Sequence, residues 1–193
     1  MILDSYFPST VGREEHPDWL PKLRPLLDEI FAGPSETLDP EFYKNGKTTY
    51  GKRNLLHDPK FEPFIKFIME RGSHYMDIQG FNWNSWNPLF FANSFLEGSE
   101  HPRHIHSMCT ISGIYYIDTP PGSSPIIFTP NWSFKDFFTY LWCQKPGEPN
   151  WYSMTKCQYN PYPGLLLIWP AWLYHQVPPN ESKEPRRSIV FNL

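Results

Sequence analysis

Twenty-two prolines are scattered along this chain of 193 residues, and they limit its helices and strands to short lengths. A proline removes a backbone donor and disrupts the interior of a helix or of a central strand. The prolines therefore argue against a bundle of long helices. Hydrophobic residues make up 40% of the chain and aromatic residues 18%, which is enough for a well-filled core. The length suits one domain, and we predict a single domain over residues 1–193.

Two helical patterns occur in the first 75 residues. In residues 18–33, "DWLPKLRPLLDEIFAG", apolar side chains recur at helical spacing and Gly33 marks the end. In residues 58–72, "DPKFEPFIKFIMERG", Asp58 suits the N-cap and Gly72 the end. Residues 35–54 between them are polar and rich in turn formers, which predicts a loop. We therefore expect residues 1–75 to form a helical N-terminal part.

From about residue 76 the pattern changes to short aromatic and β-branched runs separated by Pro, Gly and Asn. The runs are "FFANSFLEG", "CTISGIYYID", "PIIFTP", "FFTYLWC", "WYSMTKCQY", "GLLLIWP" and "RSIVFNL". Their lengths and spacing predict an antiparallel β core over residues 76–193. The segment "TPPGSSP" is predicted to be a hairpin connection. The predicted fold class is mainly β, with N-terminal α-helices packed on the core.

Charge and cysteine content argue against several partners. The net charge is −3 and no basic block exceeds two residues, so the footprint of a phosphate-backbone binder is missing and no nucleic-acid partner is evident, with weak or single-stranded binding left as an alternative. The sequence has neither an apolar run long enough to span a bilayer nor a signal-peptide pattern, which predicts no membrane partner. Cys109, Cys143 and Cys157 are odd in number and lack a CxxC spacing, so we expect reduced thiols in a cytoplasmic protein.

Three of the seven histidines fall within residues 101–106, just before a strand-like run. Side chains alternate faces along a strand, so in "HIHSMCTISGIYY" His104 and His106 would point the same way, with Met108 and Thr110 continuing that face. Two imidazoles placed like this can bind one metal ion. His175, which follows the apolar run "GLLLIWP", would supply the third point of a facial site that leaves positions open for substrate and O2.

The last run, "EPRRSIVFNL", contains a basic side chain and a hydroxyl side chain two residues apart. Arg186 and Ser188 share one strand face with Val190 and Asn192. A guanidinium and a hydroxyl that both face a barrel interior form a carboxylate clamp. A buried arginine is costly unless a partner neutralises it, which favours an anionic ligand. Arg187 is interpreted as a surface charge.

Each of these features has a plainer interpretation when it is taken alone. A lone histidine is more often structural. His101 is interpreted as a solvated loop residue, with a role as a spare ligand as the alternative. The tryptophan-rich stretches are interpreted mostly as core, with the lining of a substrate groove as the alternative. The combination of an HxH step, a distal histidine and an RxS terminus is far rarer by chance. This combination is what favours a metal site.

The motifs resemble the iron(II)/2-oxoglutarate-dependent oxygenase superfamily, and more narrowly a family of 2-oxoglutarate oxygenases found in marine bacteria and cyanophages. The resemblance rests on the HxH step, "SGIYY", a glycine-led apolar strand that ends in a histidine, and an "RxSxxFN" terminus. In this chain these are His104-Ile-His106, residues 112–116, residues 164–175 and residues 186–192. The resemblance covers most of the chain, and the combined motifs are specific although each alone is weak.

The resemblance implies a double-stranded β-helix, a jelly-roll of cupin-like shape, with iron at one mouth. The catalytic metal ligands would be His104, His106 and His175. Arg186 and Ser188 would hold the distal carboxylate of 2-oxoglutarate, with Tyr116, inward-facing by parity with His104, as a further contact. The co-substrates would be 2-oxoglutarate and O2. The expected reaction is hydroxylation of an unknown peptidyl or small-molecule substrate, with decarboxylation of 2-oxoglutarate to succinate.

One position departs from the superfamily pattern, and two rival readings stay open. The superfamily uses HxD or HxE, whereas His106 leaves the site one charge unit more positive, and it either ligates the iron or lies beside a bound water. A cupin-type metalloenzyme shares parts of these motifs, but Trp172 replaces a glycine and Thr110 and Ile111 stand where a glutamate is expected. The second rival is a non-enzymatic jelly-roll binding or structural module.

Overall fold

The computed structural model describes residues 9–33, 45–83, 87–130 and 156–193. These residues form two α-helices and ten β-strands. The helices are α1 (Leu20–Ala32) and α2 (Glu62–Ile78). The strands are β1 (Gly12–Glu15), β2 (Gly46–Thr48), β3 (Leu89–Phe95), β4 (His101–His104), β5 (Ile111–Asp118), β6 (Ile126–Phe128), β7 (Cys157–Tyr159), β8 (Leu165–Pro170), β9 (His175–Val177) and β10 (Arg186–Asn192). The predicted run "FFTYLWC", with Cys143, and most of "WYSMTKCQY" lie outside the described residues.

The strands form two antiparallel sheets. The larger has the order β1-β8-β5-β10-β3-β2 and the smaller the order β4-β9-β6-β7. Alternate residues of both sheets form one buried cluster, which includes Ile114, Tyr116, Phe128, Leu167 and Val190. Because neither sheet can bury its apolar face alone, the two cover each other and enclose the interior of a jelly-roll. The predicted mainly-β class is confirmed.

The two helices cover the outer face of the larger sheet. Leu27 of α1 and Ile68 of α2 are fully buried in a second cluster that also contains Tyr115, Ile189 and Phe191 from β5 and β10. Residues 115 and 189 alternate with the inward-facing residues of the same strands, so each strand contributes to both clusters. The prediction that helices pack on the β core is therefore confirmed.

The N-terminal part is not wholly helical. Residues 12–15 form β1, which pairs with β8, and residues 46–48 form β2, which pairs with β3. Residues 46–48 had been predicted as part of a loop. A strand of three residues is too short to show an alternating pattern, and its formation depends on the exposed edge of β3 rather than on local propensity.

Gly33 follows the end of α1 as predicted, but Gly72 does not end α2, which continues to Ile78. A Cβ at position 72 would lie 3.0 Å from Leu193 Cδ1 and 3.2 Å from Ile111 Cδ1. The glycine therefore lets α2 approach the sheet closely. A sequence alone does not separate a packing glycine from one that ends a helix.

The segment "TPPGSSP" is not a hairpin connection, so this prediction was wrong. It joins β5 in the larger sheet to β6, which pairs with β7 and β9 in the smaller one. Gly122, at φ +86°, allows the chain to turn, and Asn180 Oδ1 accepts a hydrogen bond from Ser124 N at 3.1 Å. Turn residues predict that the chain changes direction, but not which sheet the next strand joins.

Replacement of Gly113 by alanine is expected to destabilise the fold by about 1–3 kcal/mol, because it overpacks a full core. A Cβ at this position of β5 would lie 2.1 Å from Phe191 Cζ and 2.6 Å from Leu167 O, and the second atom is backbone. Urea unfolding measures the loss. Gly33→Ala is the control, since its Cβ has 3.6 Å to the nearest atom. Equal stability of Gly113→Ala and the parent would contradict this packing.

Candidate metal centre

The structure brings together the three histidines of the predicted metal site. His104 ends β4, His106 follows two residues later, and His175 begins β9. The pairing of β4 with β9 places His104 directly opposite His175. One ring nitrogen from each of the three histidines lies within 4.8 Å of the others, so the group is spaced to hold a metal ion.

The path of the chain through this site differs from the prediction. The HxH step and "SGIYY" do not share one strand, because β4 ends at His104 and β5 begins at Ile111 in the other sheet. Met108 has φ 65° and is 98% exposed, so Met108 and Thr110 do not continue the face of His104. His106 is instead positioned by its backbone N, which donates to Ala171 O at 2.9 Å.

The ring nitrogens have the spacing of ligands around one ion. His106 Nε2 and His175 Nε2 are 3.1 Å apart. Two nitrogens bonded to one divalent metal at about 2.1 Å and at right angles would lie about 3.0 Å apart. His175 Nδ1 lies 2.9 Å from Leu173 O, and His104 Nδ1 lies 2.7 Å from Pro102 O. Since a carbonyl only accepts, both Nδ1 atoms carry the proton and each Nε2 keeps its lone pair for a metal.

His101 is not the solvated loop residue that the sequence predicted. It lies in β4, and its Nδ1 is 2.8 Å from His104 Nδ1. Their ring centroids are 3.8 Å apart. The reason is the pairing of β4 with β9, which sets His101 opposite Val177 and draws it into the sheet.

The protonation of these histidines suits metal binding. Burial, together with the nearby His104, lowers the pKa of His175 to about 2 and that of His106 to about 3. Burial also lowers the pKa of His104. All three rings are therefore neutral at neutral pH, which is the state in which imidazole binds metals.

The stability of the metal-free protein should fall as the pH drops below 6.5. In the unfolded chain His175 takes up a proton near its ordinary pKa of 6.5, whereas the folded protein resists protonation until about pH 2. Between pH 7.5 and 5.5 this residue alone should cost about 1 kcal/mol of unfolding free energy. Urea unfolding at the two pH values, with chelator present, measures it. A His175→Gln variant with the same pH dependence as the parent would contradict this assignment.

A buried cation lies in the same cavity as the histidines. The cavity, of about 270 Å³, is lined by His104, His106, His175 and Arg186, and none of its described lining residues is acidic. Arg186 is 1% exposed, and its Nη2 donates to Tyr116 Oη at 3.3 Å. Among the described residues no acidic side chain pairs with it. Burial lowers the pKa of Arg186, while Tyr116 opposes this effect.

Two buried polar atoms, one of them in the Arg186 guanidinium itself, have no partner among the described residues. Arg186 Nε and Ser188 Oγ are buried without a hydrogen bond in the described structure. Ser188 pairs with Tyr116 across β10 and β5, so the two side chains share the inward face as predicted. Burial raises the pKa of Tyr116 although Arg186 acts to lower it, so the phenol stays protonated and can donate. Three donors without an anion are what a carboxylate-binding site requires.

Arg187 is not a free surface charge. Its Nε donates to Asp118 Oδ2 at 2.5 Å and its Nη1 to Asp28, while Arg24 Nε reaches Asp118 Oδ1 at 3.0 Å. Burial alone would lower the pKa of Arg187, but the two carboxylates raise it overall. The two consecutive arginines therefore have different environments. Arg187 faces carboxylates outside the barrel, whereas inside it no carboxylate of the described residues faces Arg186.

Sequence reasoning missed three residues that line the cavity. Trp169 was grouped with the core tryptophans, yet its ring centroid is 4.9 Å from that of His175. Its Nε1 is buried and has no hydrogen-bond partner in the part of the chain that the structure describes. Thr48 and Asn93 come from β2 and β3. The alternation of Phe91, Asn93 and Phe95 could have identified Asn93 as an inward-facing polar residue, whereas no local signal identifies Thr48.

The fold and this cavity define the class of protein: a jelly-roll that combines a three-histidine group with a buried arginine. A family model described as "Putative 2OG-Fe(II) oxygenase" matches residues 90–192, more than half of the chain. The chain belongs to this family of oxygenases, and it is an oxidoreductase enzyme. The predicted resemblance is confirmed, and the family implies Fe(II) and 2-oxoglutarate.

Solved structures show the same fold. A Pseudomonas putida prolyl-4-hydroxylase has a TM-score of 0.63 at 10% identity, over 95% of this chain and 91% of that one. A Trichoplax adhaerens prolyl hydroxylase in complex with a hypoxia inducible factor peptide fragment has a TM-score of 0.64 at 10% identity, over 94% and 82%. A Burkholderia pseudomallei oxidoreductase of the 2OG-Fe(II) oxygenase family has a TM-score of 0.58 at 13% identity, over 87% and 75%. At these identities the likeness shows the double-stranded β-helix fold alone.

One further comparison and a search for membrane-spanning helices found nothing. No curated protein sequence matches the chain significantly. In the part of the chain that the structure describes, neither helix has both the length and the apolar character needed to cross a membrane.

Proposed function

We propose that this chain is an Fe(II)- and 2-oxoglutarate-dependent dioxygenase that hydroxylates a primary substrate and converts 2-oxoglutarate to succinate and CO2. One observation carries the proposal. A single cavity holds both the three-histidine group and the buried cation of Arg186. A ligand that chelates a metal at one end and carries a carboxylate at the other would match both the three-histidine group and the Arg186 cation.

The residues present fit a divalent iron. His104, His106 and His175 would hold it through three neutral ring nitrogens, with Nδ1 of His104 and of His175 fixed by carbonyl oxygens. The 3.1 Å distance between His106 Nε2 and His175 Nε2 supports His106 as a direct ligand rather than a neighbour of a bound water. When bound, the iron supplies O2 activation for the decarboxylation and the hydroxylation. The protein's part is to fix the three imidazoles on one side of the ion.

The distal carboxylate of 2-oxoglutarate would lie against Arg186, Ser188 and Tyr116. Arg186 would donate two parallel N–H bonds and the hydroxyls of Ser188 and Tyr116 one each. The buried Arg186 Nε and Ser188 Oγ, which have no partner among the described residues, support this placement. The apolar side chains of Phe91, Ile114 and Val190 also line the cavity, and they would contact the methylene groups and exclude water.

The primary substrate is proposed to be peptidyl or a small molecule. The Trichoplax adhaerens neighbour is described in complex with a peptide fragment, which supports a peptidyl substrate. We also propose a cytoplasmic location, which the free thiols of Cys109 and Cys157 support. Residues 1–193 are proposed to form one domain, since β1 and β2 of the N-terminal part pair with β8 and β3.

The test is an anaerobic titration of 2-oxoglutarate into Fe(II)-loaded protein. The expected result is a weak visible charge-transfer band that saturates with 2-oxoglutarate, followed by succinate formation when O2 is admitted. Arg186→Ala should lose the band and keep the iron. Bound iron without a band would favour a cupin-type metalloenzyme instead. A protein that binds no iron would be a non-enzymatic jelly-roll module.

A further inference from the structure

Four hydrogen-bonding side chains form a continuous row across the inward face of the larger sheet. Thr48 of β2 pairs with Asn93 of β3, Asn93 pairs with Ser188 of β10, and Ser188 pairs with Tyr116 of β5. Residues that pair directly share a face, and their Cβ atoms lie about 5 Å apart. We call these four residues the polar row. Thr48 and Asn93 line the cavity, so the row faces the interior.

The polar row lies between an apolar row and Arg186. On one side of the polar row, two residues further along the strands, Phe91, Val190 and Ile114 pair with one another and form the apolar row. On the other side, Arg186 pairs with Phe95. Ser188 and Tyr116 are the members of the polar row that the proposed clamp uses. Thr48 and Asn93 have no role in it, although they continue the same row beside the guanidinium.

The hydroxyl of Thr48 orients the amide of Asn93. Thr48 Oγ1 accepts from Tyr50 N at 3.1 Å. Its single proton has two acceptors in reach, Asn93 Oδ1 at 2.6 Å and Ala92 O at 3.2 Å, and the shorter contact favours donation to Asn93. Thr48 is 3% exposed, so water does not compete for this bond. With Oδ1 held by Thr48, the Nδ2 of Asn93 is left with two N–H donors and no acceptor among the described residues, in a side chain that lines the cavity.

We propose that Asn93 is a binding residue for the carboxylate held by Arg186, and that Thr48 is the positioning residue that directs the Asn93 amide toward it. The identity of the anion as 2-oxoglutarate rests on the proposed function. A carboxylate offers about four lone-pair positions, and it accepts from several donors at once. The amide N–H of Asn93 adds a donor from the β3 side, opposite Tyr116, so the anion is held from both flanks of β10.

Calorimetric titration of 2-oxoglutarate into Fe(II)-loaded protein under anaerobic conditions tests the role of Asn93. Asn93→Ala should weaken binding about tenfold, the loss expected for one hydrogen bond to a charged group. Asn93→Asp should weaken it about a hundredfold, because a carboxylate would face the anion. Ser94→Ala is the matched control, since Ser94 is the next residue of β3 and lies outside the cavity lining. Its 2-oxoglutarate affinity and the Fe(II) affinity of all three variants should equal the parent's.

The role of Thr48 is tested by a double-mutant cycle in the same titration. Thr48→Val removes the hydroxyl at similar volume and should weaken 2-oxoglutarate about threefold, whereas Thr48→Ser should restore parent affinity. Because Thr48 acts through Asn93, the Thr48→Val change should have no further effect in the Asn93→Ala background. A merely structural threonine would weaken binding equally in both backgrounds.

The results that would contradict the proposed function differ from those that would contradict the roles of Asn93 and Thr48. A parent protein that binds no 2-oxoglutarate would contradict the proposed function as a whole. Binding by the parent together with unchanged binding by Asn93→Asp would overturn the role of Asn93 alone. Loss of Fe(II) affinity in Asn93→Ala would show that Asn93 is structural, and it would overturn the proposal as well. Additive effects of Thr48→Val and Asn93→Ala would overturn the positioning role of Thr48.

Discussion

Alanine at His175 is expected to abolish Fe(II) binding and succinate formation. His175 is 3% exposed, its Nδ1 is fixed by Leu173 O, and its Nε2 points at His106 Nε2. Removal of groups that only orient a ligand costs about 10–100-fold in metal affinity, so loss of a ligand should cost at least about a hundredfold. Anaerobic equilibrium dialysis measures the affinity. His74→Ala, on the exposed side of α2, is the control and should bind iron like the parent.

The coordinating role of His106 is separable from that of His175. Aspartate at this position recreates the HxD pattern of the wider superfamily and offers an anionic oxygen ligand. His106→Asp should therefore retain iron within about tenfold of the parent, whereas His106→Ala should weaken it by about a hundredfold or more. If His106→Ala binds iron as tightly as the parent does, His106 lies outside the coordination shell and a water takes its place.

The parts of the site that lie within one strand could be predicted from the sequence. Arg186 and Ser188 stand two residues apart in β10, and alternation alone places both on the same face. The convergence of His104 and His106 was predicted for the wrong reason. The two side chains do converge, but His104 ends β4 and His106 lies in the loop after it, so alternation along one strand is not the cause. The resemblance to the oxygenases, not the periodicity, is what made this prediction useful.

The parts that depend on pairing between distant segments could not be predicted. Thr48 lies in a strand of three residues, and no local pattern indicates that this strand pairs with β3. The polar row could therefore not be predicted. Strand pairing also sets the environment of His101 and of Arg187: β9 draws His101 beside His104, and the neighbouring β5 places Asp118 against Arg187. In each case the residue type was visible in the sequence, but its partner was not. The register between strands is set by how the buried faces of the whole sheet fit together. The sequence of a single segment does not contain this information.

Replacement of Arg186 by methionine is expected to change ligand binding and stability in opposite directions. Loss of a charged, hydrogen-bonded partner from a buried site costs about 2–5 kcal/mol, so 2-oxoglutarate should bind about 30-fold to several thousand-fold more weakly. Fe(II) affinity should stay unchanged, because Arg186 approaches the cavity from β10 and the three histidines from β4, β9 and the loop after β4. Titration of 2-oxoglutarate and of Fe(II) into the variant measures the two affinities separately.

The stability of the same variant distinguishes a ligand-binding arginine from a structural one. In the ligand-free protein the Arg186 charge is buried without an acidic partner among the described residues, and an unpaired buried charge destabilises a fold. Arg186→Met should therefore raise the free energy of unfolding by about 1 kcal/mol or more. With 2-oxoglutarate at a hundredfold excess over the parent's Kd, the parent should gain about 2.7 kcal/mol and the variant at most about 0.9 kcal/mol. A variant that is less stable without ligand and equally stabilised by it would mean that Arg186 supports the barrel and does not bind the anion.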